Sequence, residues 1–207
     1  RKGINKESKR QLLKTWEKVT FRIFGMYAKD SRFQVGNYVR LAREIINTNI
    51  DEDEIKNRIV AIAAGFPIEG AIAETRKANC YEGCETELRY LLHRHEESLV
   101  RGKLTNENWT RIWMESASKS IEHISPQSMV TNYTHWLGNL LLLPPGINSQ
   151  LKNKEPRDKI KTYRETGLKI ALQVVDMIEN NNCHWTEEMV IEREEKILEW
   201  ARTEWGD

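Results

Sequence analysis

The stretch SIEHISPQS, residues 120–128, differs in pattern from the sequence on either side of it. Residues 119–125 (KSIEHIS) can form a short strand, whereas the flanking sequence has helical periodicity. A second apolar segment, LGNLLLLPP (137–145), ends at two prolines, and GINSQLKNK (146–154) can begin a helix. The predicted local order is strand, loop, strand and helix, inserted in a mainly α chain of the α+β class.

Helical periodicity covers most of the remaining chain, with one apolar face in each segment. These segments are residues 5–28, 35–48, 84–99, 157–180 and the stretch after Thr186. The polar, glycine-containing segment VRGKLTNEN (100–108) interrupts the pattern. We therefore predict a helical connector domain over residues 1–105 and a second domain, with the hairpin and the C-terminal helices, over residues 106–207.

The composition is that of a globular protein, and no apolar run reaches membrane-spanning length. Three cysteines do not make a disulfide framework in a chain of 207 residues, so a cytoplasmic location is expected. Because the sequence begins at Arg1 and not at methionine, we expect a fragment of a longer protein that lacks its N-terminal part.

The net charge of +1 is unevenly distributed along the chain. Residues 1–29 carry nine basic and two acidic residues, and residues 119–169 carry eight basic and four acidic residues. Residues 185–207 carry three basic and eight acidic residues. This asymmetry is compatible with a basic face for a polyanion and equally with ordinary solvated helix surfaces.

Three polar positions in the predicted hairpin carry candidate chemistry: the pair Glu122–His123, Asn139 and Asn148. Histidine suits general-base work near neutral pH, and carboxylate and amide oxygens suit magnesium or manganese. Neighbouring residues of a strand point to opposite faces, so Glu122 and His123 share a site only where the strand ends or bends. Pro126 favours such an early end.

Structural interpretations compete with these functional ones. A lone histidine on a strand is more often a hydrogen-bonded structural residue than a catalyst. His135, in the hairpin loop, is expected to be exposed. A zinc site from Cys80, Cys84, His93 and His95 is disfavoured, because the two histidines are two residues apart and face different directions on a helix.

Taken in order, IEHISPQS (121–128), LGNLLLL (137–143) and GINSQLKNK (146–154) resemble the HNH nuclease motif, also called the ββα-metal or His-Me finger. More specifically, they resemble the version of this motif in the C-terminal nuclease domain of GmrSD-type, modification-dependent restriction proteins. This resemblance covers residues 118–164 and extends to the tryptophan-containing pattern from Trp185 to Trp205. The resemblance implies a helical bundle with an inserted ββα-metal hairpin.

The resemblance also implies roles for the four polar residues. His123 would be the general base that activates water, and Glu122 and Asn148 would bind one divalent ion, Mg²⁺ or Mn²⁺. Asn139 would hydrogen-bond backbone across the hairpin loop and hold the strand of the base in place. The family's acidic position is more often aspartate, so Glu122 reaches one methylene further. A further ligand position of some relatives falls on Lys152, which cannot bind a metal while charged.

A basic stretch, KNKEPRDKIKTYR (152–164), follows the motif directly. We predict that its cations contact the phosphates of a nucleic acid, which gives affinity without sequence choice. These residues are Lys152, Lys154, Arg157, Lys159, Lys161 and Arg164.

The expected function is therefore that of a metal-dependent DNA endonuclease, the effector domain of a bacterial anti-phage restriction system. The resemblance implies DNA as the partner, and a nucleotide-hydrolysing sensor domain of the same chain that precedes this sequence. Two alternatives stay open: a non-catalytic DNA-binding or protein-interaction module with a degenerate hairpin, and an RNA-cutting enzyme of the same fold.

Overall fold

The computed structural model describes residues 4–100 and 106–207, the side chains of 106–109 excepted. Within these residues ten α-helices and two short strands follow one another. The helices before the hairpin are α1 (Lys6–Thr20), α2 (Val35–Asn47), α3 (Glu52–Ile62), α4 (Ile68–Thr75), α5 (Glu85–Leu99) and α6 (Asn106–Trp113). The strands are β1 (Ile121–His123) and β2 (Leu140–Leu142), and the later helices are α7 (Pro145–Leu151), α8 (Pro156–Thr166), α9 (Lys169–Asn180) and α10 (Glu187–Trp205). The prediction of a mainly α fold with a small β hairpin is confirmed.

The chain divides into two compact units, and the first comprises Arg1–Glu74 together with Ala201–Asp207. Its core is built from apolar side chains of α1, α2, α3 and the π-helical segment Phe21–Met26. The buried members are Val19, Ile23, Leu41, Ile55, Ile59, Ile62 and Ala63. The buried guanidinium of Arg22 fixes the chain terminus to this core, because it donates to the Trp205 carbonyl and pairs with the Asp207 carboxylate at 2.9 Å.

The second unit, Thr75–Trp200, contains the hairpin. Strands β1 and β2 are antiparallel, with Ile121 opposite Leu142 and His123 opposite Leu140. Helices α5 and α9 pack on β2, and α7 packs on β1. The four leucines 140–143 are fully buried, as expected for a continuous apolar run covered on both faces.

The strands are shorter than the sequence predicts, and the loop explains why. Ser125 donates its backbone N–H to the side chain of Asn139 and not to a partner strand, so β1 ends at His123, before Pro126. Residues Leu137–Asn139 form a 3₁₀ turn that places Asn139 beneath the loop. The predicted early end of the first strand is confirmed.

The predicted domain boundary at residues 105–106 adjoins residues 101–105, which lie outside the described residues, and it stays a prediction. In the described part of the chain no helix is both long and apolar enough to cross a membrane.

Candidate active site

His123 ends β1 in a polar pocket of the second unit. Its Nδ1 lies 3.1 Å from the side-chain nitrogen of Gln127, and its Nε2 lies 3.1 Å from Nδ1 of His135. Tyr81 contacts the imidazole edge-on, with ring centroids 4.7 Å apart. The residue is 6% exposed, and burial, with smaller contributions from His135 and Lys159, lowers the pKa of His123 to about 3. The ring is therefore neutral at physiological pH and held by polar neighbours at both nitrogens.

Asn139 fastens the loop between the strands and is fully buried. Its Oδ1 accepts from the backbone N–H of Ser125 at 2.8 Å and from the indole N–H of Trp185 at 3.0 Å. Its amide group donates to the carbonyls of Ser125 at 3.1 Å and Thr134 at 2.9 Å. The side chain thereby uses both donors and both acceptor sites, which fixes the residues that follow His123.

Glu122 turns to a different set of neighbours, on α8. Its Oε1 lies 2.6 Å from the ammonium of Lys159 and accepts a hydrogen bond from the Tyr163 hydroxyl at 3.1 Å. Lys159 also donates to the backbone carbonyls of His123 at 2.7 Å and Ile124 at 3.1 Å. Burial raises the pKa of Glu122 and lowers the pKa of Lys159, while their mutual attraction opposes both shifts. The short contact is that of a charged pair.

Asn148 lies in α7 beside the first strand. Its amide group donates to the backbone carbonyls of Lys119 at 3.0 Å and Ile121 at 2.9 Å. The second of these carbonyls belongs to the residue before Glu122, so the helix is tied to β1 next to the acidic side chain. Both hydrogen bonds use the nitrogen of the amide, and neither uses Oδ1.

The side-chain oxygens of Glu122 and Asn148 are of the kind that bind hard divalent cations. Glu122 and Asn148 each have one terminal atom anchored by the protein and one oxygen, Oε2 or Oδ1, that takes no part in those contacts. Metal-binding carboxylates are commonly held this way by hydrogen bonds from a second set of residues. Among residues 4–100 and 106–207 no group of three or more His, Cys, Asp or Glu side chains could hold a metal. A cation here would depend on the amide oxygen of Asn148 and on ligands from outside the protein.

The basic residues predicted to contact phosphates fall into two groups. Five are exposed to solvent on or just before α8: Lys152, Lys154, Arg157, Lys161 and Arg164. Of these, Arg157 pairs with Glu155 at 2.9 Å, and Arg164 pairs with Glu179. Lys159 does not lie on this surface, because its ammonium is fully buried against Glu122 and the end of β1. The prediction that Lys159 contacts the phosphates of a nucleic acid is therefore wrong.

Several residues around the imidazole were not predicted from the sequence. His135 is half-buried against His123 and stacks on Tyr81 with centroids 5.5 Å apart, so its expected exposure is wrong. Gln127 follows Pro126 and reaches back to the ring. Tyr81 comes from a loop about forty residues earlier, which is joined to the hairpin by a hydrogen bond from the Cys80 N–H to the His135 carbonyl. No local pattern in the sequence marks such a long-range contact.

Two antiparallel strands followed by a helix, with a histidine at the end of the first strand, are the elements of an HNH-type ββα hairpin. A family model described as the C-terminal domain of GmrSD restriction endonucleases matches residues 69–200. The chain belongs to this family, which implies a function of the restriction-endonuclease type. Neither the curated proteins nor the solved structures contain a match to the chain.

Proposed function

We propose that this chain is a metal-dependent endonuclease that nicks or cuts DNA and acts as the effector of a bacterial anti-phage restriction system. The observation that carries the proposal is the position of His123 at the end of β1, with Asn139 bracing the loop behind it and Asn148 tied to the same strand. Membership of the restriction-endonuclease family supports the same reaction class.

In this proposal His123 accepts a proton from the attacking water. Its neutral ring is in the correct protonation state, and a nearby phosphodiester anion would raise its low pKa towards a more useful value. Both ring nitrogens have neighbours, so either Gln127 or His135 yields its place to the water. Asn139 is a positioning residue, since it touches the loop and not the imidazole.

Glu122 and Asn148 would hold a magnesium or manganese ion through Oε2 and Oδ1. When bound, such an ion would offset negative charge on the phosphate and on the departing oxygen. Lys159 and Tyr163 keep the Glu122 carboxylate in one orientation through Oε1. The positive charge of Lys159 reduces the attraction of this carboxylate for a cation, so we expect binding that tightens only when a phosphate adds ligands.

Affinity for DNA would come from the exposed cations of the basic stretch. Lys152, Lys154 and Lys161 are exposed, and neither Lys152 nor Lys154 has an ion-pair partner among the described residues. Contacts of this kind bind the backbone of any sequence and weaken with salt. Choice of target would belong to an N-terminal nucleotide-hydrolysing sensor domain, so the chain by itself should cut weakly and with little sequence preference.

A second candidate is a non-catalytic DNA-binding or protein-interaction module. The Glu122–Lys159 ion pair favours it, because a neutralised carboxylate can serve the hairpin as a structural element alone. This candidate predicts binding to DNA that falls with salt and no cleavage with any divalent ion.

The experiment is a nicking assay on supercoiled plasmid with Mg²⁺, Mn²⁺ or EDTA, with an RNA substrate in parallel. We expect DNA nicking that requires the divalent ion and falls roughly a hundredfold or more in His123→Ala. His184→Ala, at an exposed histidine outside the pocket, is the matched control and should keep wild-type activity. Equal nicking by wild type and His123→Ala would remove His123 from the mechanism. Salt-sensitive binding without cleavage would select the second candidate.

A further inference from the structure

A cavity of about 520 Å³ lies in the second unit, and its lining includes none of the side chains that contact the His123 imidazole. Its lining comes from α5, α9, α10 and the segment between the last two helices. The polar lining residues that matter below are His95, Asp176, Glu192, Arg193 and Lys196, and the apolar ones are Met177, Met189 and Ile197. The volume is in the range of ligand sites for small molecules.

Arg193 is the unusual member of this lining. It is 4% exposed, and its Nη1 donates to the carbonyls of Leu137, Gly138 and Leu140. Its Nη2 is buried and has no hydrogen-bond partner among the described residues, and no carboxylate of that part of the chain forms an ion pair with it. Burial lowers the pKa of Arg193 to about 10, so it stays charged at neutral pH. A buried cation without a counter-charge is costly, and such groups are normally paired.

His95 adds a second unsatisfied group to the same lining. It is 7% exposed, packs on the Trp200 ring with centroids 4.8 Å apart, and its Nδ1 is buried without a hydrogen-bond partner. Two buried nitrogen atoms on side chains that line one cavity, Nη2 of Arg193 and Nδ1 of His95, therefore lack hydrogen-bond partners within the described protein. Buried polar groups in native proteins are nearly always satisfied by protein, water or ligand.

We propose that this cavity binds a small molecule with an anionic oxygen group, a phosphate or a carboxylate, held by Arg193. The body of the ligand would be about the size of a mononucleotide and would lie against Met177, Met189 and Ile197. His95 would supply a neutral hydrogen-bonding nitrogen. The site is separate from the proposed nuclease centre, and its existence does not depend on DNA cleavage.

The charges around the cavity favour a small anion over a nucleic-acid backbone. Residues 185–207 carry eight acidic and three basic residues, so a polyanion lying along α10 would be repelled. Asp176 and Glu192 are exposed lining residues, and Glu192 is paired with Lys196 at 2.6 Å. A single phosphate or carboxylate bound to Arg193 would be repelled by few of these acidic side chains. An extended nucleic-acid strand along α10 would be repelled by many of them.

Ligand binding in the cavity should stabilise the hairpin. The guanidinium that would bind the anion also holds three carbonyls of residues 137–140, the segment that contains Asn139 and begins β2. An anion on Nη2 would fix the guanidinium more firmly and so steady this segment. The proposed ligand would therefore stabilise the loop that positions His123.

The test is calorimetric titration of the chain with inorganic phosphate, adenosine monophosphate and adenosine at constant ionic strength, with hydrogen exchange of residues 137–143 as the second readout. We expect saturable binding of the monophosphate, weaker binding of phosphate and none of adenosine, with slower exchange of the segment on binding. Binding of adenosine monophosphate should weaken by roughly tenfold or more in Arg193→Gln.

Two further variants keep the test decisive, because Arg193→Gln also removes hydrogen bonds to the hairpin. Met177→Trp fills the cavity without touching those bonds, and His95→Phe keeps the packing on Trp200 while removing the nitrogen; each should weaken binding in a folded protein. Lys56→Gln, at an exposed lysine of α3 that does not line the cavity, should leave binding unchanged. The proposal is overturned if no probe binds, if Met177→Trp binds as well as wild type, or if Lys56→Gln abolishes binding.

Discussion

The ammonium of Lys159 lies 2.6 Å from Oε1 of Glu122, and neither side chain is more than 6% exposed. Removing one member of a buried ion pair leaves an uncompensated charge in the interior. We expect Lys159→Met to lower the free energy of unfolding by about 3–5 kcal/mol. Equilibrium urea unfolding measures this loss. In the double variant Glu122→Gln/Lys159→Met the loss should be smaller than the sum of the single losses, since neither charge remains.

Lys161→Met is the matched control for that experiment. Its side chain is 89% exposed and its nearest carboxylate oxygen, on Glu165, is 3.9 Å away. The free energy of unfolding should change by no more than about 0.5 kcal/mol. If Lys159→Met changed the free energy of unfolding as little as Lys161→Met, the buried ion pair would not stabilise the hairpin.

Asn139 should be the residue of the loop that tolerates substitution least. Asn139→Leu removes four hydrogen bonds and leaves the Ser125 N–H and the Trp185 indole N–H buried without acceptors. We expect the free energy of unfolding to fall by about 3 kcal/mol or more, because each buried donor left without an acceptor keeps its desolvation cost. Urea unfolding measures the loss, and faster hydrogen exchange at Ser125 locates it. Asn132→Leu, at an exposed asparagine of the same loop, should cost far less.

The low pKa of His123 should depend partly on His135. Burial is the main cause of the shift and the electrostatic effect of His135 is the next, and His135→Ala reduces both. We expect the pKa of His123 to rise above its wild-type value of about 3, as seen by NMR titration of its ring protons. Glu82→Gln changes the outer neighbour of His135, 3.8 Å from its Nε2, and should leave the pKa of His123 near its wild-type value. An unchanged pKa in His135→Ala would mean that burial by other residues sets it.

Three buried histidines should make the protein sensitive to mild acid. Burial, aided by neighbouring cations, lowers the pKa of His93 and His95 to about 4 and that of His123 to about 3. Between these values and the ordinary 6.5 the unfolded chain binds more protons than the folded one, so stability falls as the pH falls. Each histidine contributes up to about 1.4 kcal/mol per pH unit in this window. The raised pKa values of Glu96, Glu122 and Glu194 act in the opposite direction.

Urea unfolding at pH 7, 6 and 5 measures this dependence. His95→Phe should give a flatter decline, because that position no longer takes up a proton on unfolding. His184→Phe, at an exposed histidine, is the control and should keep the wild-type slope. A decline as steep in His95→Phe as in wild type would show that His95 does not remain neutral in the folded protein.

The hairpin was predictable from the sequence because its signals are local. The short segment around Ile121, the leucine run 140–143 and the two prolines each act within a few residues. The roles of Glu122 and Asn139 came from the resemblance to the HNH motif, and that of Glu122 as a metal ligand stays a prediction. The contacts that decide the chemistry are long-range: Lys159 reaches β1 from α8, and Tyr81 reaches His123 from an earlier loop. A surface lysine and a buried one look alike in a basic stretch, because periodicity assigns faces only where apolar residues mark them.

Gly138 should be indispensable for the packing of the hairpin on α10. A Cβ at this position would lie 1.9 Å from the backbone carbonyl oxygen of Val190, and backbone of a packed helix cannot withdraw as a flexible side chain can. We therefore expect Gly138→Ala to destabilise the protein by about 2–3 kcal/mol or more and to loosen the turn that contains Asn139. Gly146→Ala is the matched control, since a Cβ there meets nothing within 4 Å and α7 gains a better helix former, with an expected gain of up to about 1 kcal/mol. Thermal and urea unfolding should show changes of opposite sign in the free energy of unfolding of the two variants. If Gly138→Ala were as stable as wild type, the turn would not lie against α10.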